Sequence, residues 1–196
     1  MTRKASIERA TRETDIRLSL DLTGSGRGDV QTGIGFLDHL LTSLARHARF
    51  DLALACKGDT HVDDHHTAED CALRIGEALD EALGDRRGIA RFGWAFAPLD
   101  EALARAVVDI SGRPFAHVDL GLRREKIGGL ACENVAHLFR SIAAAARTTV
   151  HVDVLRGEND HHRAEAAMKA FALALRQAIA PSGFDDIPST KGTLDG

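Results

Sequence analysis

Polar and apolar side chains alternate one by one through Asp15-Ile16-Arg17-Leu18-Ser19-Leu20-Asp21-Leu22. That is the period of a strand with one buried face. Residues 1–32 read as strand, interrupted by a glycine-rich turn at 23–28. The period then changes. Phe36, Leu37, Leu40, Leu41 and Leu44 keep the spacing of one helical face, predicting a helix over 35–47. Residues 52–56 predict a short strand closed by Lys57-Gly58-Asp59, and 67–83 predict a helix stopped by Gly84.

The second half follows the same order. Strands are expected at 104–110 and 115–122 around the turn Ser111-Gly112-Arg113-Pro114. A helix follows at 133–147, with Val135, Leu138, Phe139 and Ile142 on one face. Then come a strand at 149–155, closed by Arg156-Gly157-Glu158, and a helix at 161–179 ending before Pro181. The agreement extends to spacing. His65 and His161 lie 96 positions apart, as do His66 and His162, and Glu69 and Glu165; His39 and His137 lie 98 apart, each followed by leucine. We read an internal duplication of a strand–helix–strand–helix unit. The expected fold class is α+β, with helices packed on one face of a mainly antiparallel sheet. The expected organisation is one domain over residues 1–196, made of two similar halves of about 1–90 and 91–196.

The chain has 196 residues and a net charge of -4, which argues against nucleic acid or an anionic membrane as partner. The polar start, Met1-Thr2-Arg3-Lys4, leads into no apolar signal region, and no apolar run approaches membrane-spanning length. Cys56, Cys71 and Cys132 form no CxxC pattern, so they read as reduced core thiols of a cytoplasmic protein.

The histidines carry more information. Asp64-His65-His66-Thr67-Ala68-Glu69-Asp70 recurs as Asp160-His161-His162-Arg163-Ala164-Glu165. Neighbouring helical residues point about 100° apart, whereas residues three or four apart share a face. A glutamate can therefore share an ion with one histidine of its pair, and an adjacent pair suggests two ions. Two such helices facing each other would give each ion one histidine from each pair and one glutamate. His39 and His137 add one ligand each. The sum is three histidines and one carboxylate per ion: His39, His65, His66, Glu69, His137, His161, His162 and Glu165. The absence of thiolate from the set argues against a structural zinc site, and the ligand mixture with open positions favours six-coordinate Mn(II) among Mn(II), Fe(II), Co(II) and Zn(II). Asp64, Asp70 and Asp160 are candidates to orient the imidazoles. His47, His61, His117 and His151 lack such partners and read as ordinary histidines.

Several separated motifs resemble one family. Gly35-Phe36-Leu37-Asp38-His39, the two His-His-Glu stretches, and Pro188-Ser189-Thr190-Lys191-Gly192 are similar, in order, to the monofunctional imidazoleglycerol-phosphate dehydratases. Met168 stands where that family more often has phenylalanine, a core exchange. The resemblance implies two Mn(II) ions per active site and a homo-24-mer with active sites between subunits. It implies dehydration of D-erythro-imidazole-glycerol phosphate to imidazole-acetol phosphate in histidine biosynthesis. It assigns the metal ligands as above and Glu13, in Arg12-Glu13-Thr14, as the acid/base. It also assigns Arg91, Arg113, Ser189 and Lys191 to substrate and phosphate contacts. Taken alone, Glu13 on a strand and an arginine in a turn are weak signals. The chemistry suits such a site. Ions on both ring nitrogens would favour an imidazolate, which expels hydroxide through a diazafulvene-like intermediate while a base removes the adjacent proton. The rival readings are a di-metal hydrolase or oxygen-activating protein, and a non-enzymatic protein whose metals join subunits.

Overall fold

In the computed structural model, which describes residues 3–194, two four-stranded sheets enclose four helices. The first half contains β1 (Lys4–Ala10), β2 (Thr14–Asp21), β3 (Gly28–Gln31), α1 (Gly35–Ala48), β4 (Asp51–Gly58) and α2 (His65–Leu83). The second contains β5 (Phe92–Leu99), β6 (Ala102–Asp109), β7 (Phe115–Asp119), the two-residue strands β8 (Lys126–Ile127) and β9 (Leu130–Ala131), α3 (Cys132–Ala145), β10 (Thr149–Arg156) and α4 (Asp160–Ala178). Met1 and Thr2, which begin the stretch expected as strand, lie outside the described residues. The fold is α+β, as the sequence predicts. Strand order is β1-β2-β4-β3 in one sheet and β5-β6-β10-β7 in the other. Each is antiparallel except at its last pair, where β3 runs parallel to β4 and β7 parallel to β10.

A parallel pair needs a return crossover. α1 supplies it between β3 and β4, and α3 between β7 and β10. α2 and α4 then fold back from the ends of β4 and β10. α1 and α2 cover the inner face of the first sheet, α3 and α4 that of the second, and across the middle α1 meets α4 and α2 meets α3. One contiguous apolar cluster joins both halves through Leu40, Ile75, Leu138 and Phe171, with Phe139 edge-on to Phe171 at 5.5 Å.

The α1–α4 and α2–α3 pairs run in parallel. Phe36 and His39, early in α1, meet His161 and Glu165, early in α4. Along the other pair, His137 meets Glu69, Gly76 lies against Ile142 and Ala145, and Asp80 faces Arg147. All four helices therefore begin at one end of the molecule, beyond the C-terminal ends of β3, β4, β7 and β10.

Two departures from the expected elements have local causes. β7 stops at Asp119 rather than at 122, because Gly121 takes a left-handed φ of 57° and the chain turns towards β8. β5 escapes the periodicity because its pattern is inverted. Gly93, Ala95 and Ala97 face the helices, while Phe92, Trp94 and Phe96 are exposed. Small residues are needed inside, since a Cβ on Gly93 would collide with the Ala174 carbonyl of α4.

Gly76 serves the same purpose between α2 and α3, where an added Cβ would lie 2.6 Å from both the Ala145 methyl and the Ile142 carbonyl oxygen. Gly76→Ala is expected to lower stability by about 1–3 kcal/mol through overpacking, despite the better helix propensity of alanine. Chemical denaturation measures this, and an unchanged midpoint would mean the helices separate freely.

Candidate metal centre

The helix starts gather six of the eight sequence-predicted ligands into two clusters. In one, His39 of α1 meets His161 and Glu165 of α4, with both imidazole Nε2 atoms facing Glu165 Oε2, His39 at 2.9 Å and His161 at 3.1 Å. In the other, His137 of α3 meets His65 and Glu69 of α2. His137 Nε2 lies 2.8 Å from Glu69 Oε1, and His65 Nε2 lies 3.7 Å from Oε2. Each glutamate pairs with the first histidine of its motif, four residues back on the same helical face.

Contrary to the expectation from the paired histidines, the two motif helices do not face each other. α2 packs on α3 and α4 on α1, so each cluster draws its third ligand from the opposite half of the chain. His66 and His162 stand outside both clusters. His66 Nδ1 lies 3.0 Å from Asp59 Oδ2, and His162 Nδ1 lies 2.7 Å from Glu101 Oε2. Those hydrogen bonds raise both imidazole pKa values, Asp59 acting on His66 and Glu101 on His162. Glu101 itself is held at about 2, first by the Asn159 amide and then by His162 and the Glu158 amide. Burial works against a charge on Glu165, but Lys169, at 2.7 Å, and His39 outweigh it and keep the carboxyl at about 2.

The motif aspartates do not touch the imidazoles. Asp70 accepts from Thr14 Oγ1 and from Arg9, tying α2 to the β1–β2 hairpin. Asp160 accepts from the Arg123 and Arg124 amides. Asp64 accepts from the Ala131 amide and from Asn134, and it is Asn134 whose Oδ1 lies 2.9 Å from His65 Nδ1. Asp59, Glu101 and Asn134 are thus the groups that hold imidazoles. Asp59 closes a strand in the sequence; nothing in the pattern singles out Glu101 or Asn134.

The donor set fits divalent ions. It is imidazole and carboxylate without thiolate, and His65, His66 and His162 each have Nδ1 against an oxygen, which leaves Nε2 as the ligating atom.

Glu13, in the β1–β2 turn, belongs to this end. Its carbonyl accepts from the Asp59 amide, its Oε1 lies 3.9 Å from His66 Nε2, and its side chain is about half exposed. Arg91, Arg113, Ser189 and Lys191 lie elsewhere. The Arg91 amide donates to the carbonyl of Ala178, the last residue of α4; its guanidinium is held by Asp109 at 2.8 Å and donates to the Pro188 carbonyl. Arg113 sits in the turn beyond β6, where its amide donates to Ser111 Oγ. The Ser189 hydroxyl accepts from the Lys191 amide. From His161 to Ala178, seventeen residues along α4, the helix rises about 25 Å. The clusters with Glu13 and the Arg91–Pro188 group therefore occupy opposite ends of the fold.

The imidazoleglycerol-phosphate dehydratase family model matches residues 32–175. The chain is 60% identical over 192 residues to the dehydratase of that name from Phytophthora nicotianae, covering 98% of this chain but 42% of the relative. It is 56% identical to the one from Candida glabrata, covering 97% of this chain and 99% of the relative. A crystal structure of the Staphylococcus aureus enzyme superposes with a TM-score of 0.83 at 37% identity, over 91% of this chain and 98% of that one. These matches define a hydro-lyase, an enzyme that removes water. The chain belongs to the imidazoleglycerol-phosphate dehydratase family. Among its described residues no helix is long and apolar enough to cross a membrane.

Proposed function

We propose that the chain dehydrates D-erythro-imidazole-glycerol phosphate to imidazole-acetol phosphate in the cytoplasm, as a step of histidine biosynthesis, and that it does so with two Mn(II) ions per active site. The observation that carries this reading is the pair of His-His-Glu clusters at one end of the fold with Glu13 beside them, in a chain of this family. His39, His161 and Glu165 would hold one ion, and His65, Glu69 and His137 the other; another divalent metal of similar preference would be accommodated by the same donors. Ions held there would supply Lewis acidity to the substrate.

The residues of the chain do the rest. Glu13 takes the proton from the carbon beside the one that loses hydroxide, proton and hydroxide leave as water, and the resulting enol becomes the ketone as its hydroxyl proton moves to the carbon that lost the hydroxide. Its position in a turn tied down by Thr14 and Asp70 fixes the carboxylate while leaving it open to substrate. Arg113, Ser189 and Lys191, with Arg91 holding the Pro188 loop, receive the phosphate.

A glycerol chain is far too short to span the length of α4. We infer that each active site sets the cluster end of one copy, with its Glu13, against the phosphate-receiving residues of another. His66 and His162, each with Nε2 unengaged by a cluster, then complete clusters on adjacent copies, bringing each ion to three histidines and one carboxylate. Two similar halves folding as one domain, and a closed shell of 24 copies, suit that arrangement.

Assay of water loss from the imidazole-glycerol phosphate, with and without Mn(II), tests the reading; absence of turnover under both conditions rejects it. Glu13→Gln is expected to bind substrate normally while kcat falls about 10²- to 10⁴-fold. An unaltered kcat would remove Glu13 from proton transfer.

A further inference from the structure

The duplicated clusters differ in the groups behind them. The residue three positions before His137 is Asn134; the residue three before His39 is Phe36. Asn134 is almost fully buried, with 3% exposure. Its Nδ2 donates to Asp64 Oδ2 at 2.9 Å. A carboxylate only accepts, so the amide cannot turn over, and Asn134 Oδ1 must face His65 Nδ1, 2.9 Å away. That oxygen can only accept a hydrogen bond. His65 is therefore held with its hydrogen on Nδ1 and its lone pair on Nε2, towards Glu69. An amide does this without adding charge, unlike Asp59 and Glu101 on the outlying histidines.

At the other cluster Phe36 packs its ring on His161, with centroids 5.0 Å apart, and offers no acceptor. A second difference points the same way. Glu165 shares its charge with Lys169 at 2.7 Å, and the residue at the corresponding place after Glu69 is Leu73. A lysine ammonium repels a divalent cation and competes for the carboxylate.

We propose that Asn134 is a positioning residue that fixes the His65 tautomer, and that the two ion sites are in consequence unequal. The site of His65, Glu69 and His137 holds its ion more firmly than that of His39, His161 and Glu165. This rests on the metal reading above. The Mn(II)-loaded full chain, titrated with EDTA, is expected to lose its ions in two steps at chelator concentrations at least about tenfold apart. Lys169→Met should delay the first loss. Asn134→Leu should advance the second by about 10- to 100-fold, the cost of losing a group that orients a ligand. A single step in the unaltered chain, or an Asn134→Leu curve superposable on it, overturns the inequality. The tautomer is tested separately in the metal-free chain, with ¹⁵N-labelled histidine above pH 8 and the His65 signals assigned by their loss in His65→Asn. Nδ1–H is expected, and Nε2–H overturns the role of Asn134. A chain that binds no ion but shows His65 as Nδ1–H would reject the metal reading while supporting that role.

Discussion

Replacing Glu165 with alanine is expected to abolish dehydration and to release one of the two ions per chain. Glu165 Oε2 is the common neighbour of His39 and His161, so removing it leaves two imidazoles with no anionic ligand between them. It also strips Lys169 of its partner, which places an unpaired ammonium beside the vacated position. The loss of activity should far exceed the roughly 10- to 100-fold typical of a group that merely orients a ligand. His65→Ala should act in the same way on the second cluster. Elemental analysis of the purified variants reads the ion content, and the dehydration assay reads the rest. Chelation of the unaltered enzyme should reproduce the loss and Mn(II) should restore it. Full turnover after exhaustive chelation would refute the ion-dependent mechanism.

The six residues that gather in the two clusters were legible because metal chemistry restricts residue type and helical geometry restricts spacing. A glutamate four residues after a histidine must share its face, and the same spacing twice, 96 residues apart, leaves little room for coincidence. The helices were legible for a similar reason: the leucine stripe of α1 and the apolar face of α3 each bury one side. What the pattern did not carry is pairing between segments distant in sequence. Whether α2 packs on α4 or on α3 depends on how two sheets close over four helices, and no local period records it. Glu101, far in sequence from His162, was invisible for that reason, as was Asn134 behind His65. β5 was missed on different grounds. A strand normally shows its inner face by its larger apolar side chains, but Gly93 and the alanines of β5 lie where α4 comes too close for anything bigger. Glu13 reads from its local sequence as a charge on a strand, although it lies in the β1–β2 turn, and Lys191 reads as a charge in a loop, so only the family resemblance gave them roles.

A mixture of two inactive variants is expected to recover activity that neither has alone. Glu13→Gln disables the cluster end of a chain and leaves its ligands in place. Lys191→Met disables the opposite end. If every active site combines the cluster end of one copy with the phosphate end of another, a hybrid assembly contains sites in which both contributed ends are intact. With equal amounts and random exchange, that holds for about one site in four, because each end is intact with even odds. The separation along α4 makes the outcome unequivocal, since about 25 Å within one chain cannot be closed by side-chain movement. Exchange would be driven by removing and restoring Mn(II), which under this arrangement also links the copies. Recovery near one quarter of normal activity, absent when either variant is cycled alone, supports sites shared between subunits. If the mixture stays as inactive as its components after size-exclusion chromatography has established that copies exchanged, each chain carries a whole site of its own, and Lys191 cannot be the residue that receives the phosphate.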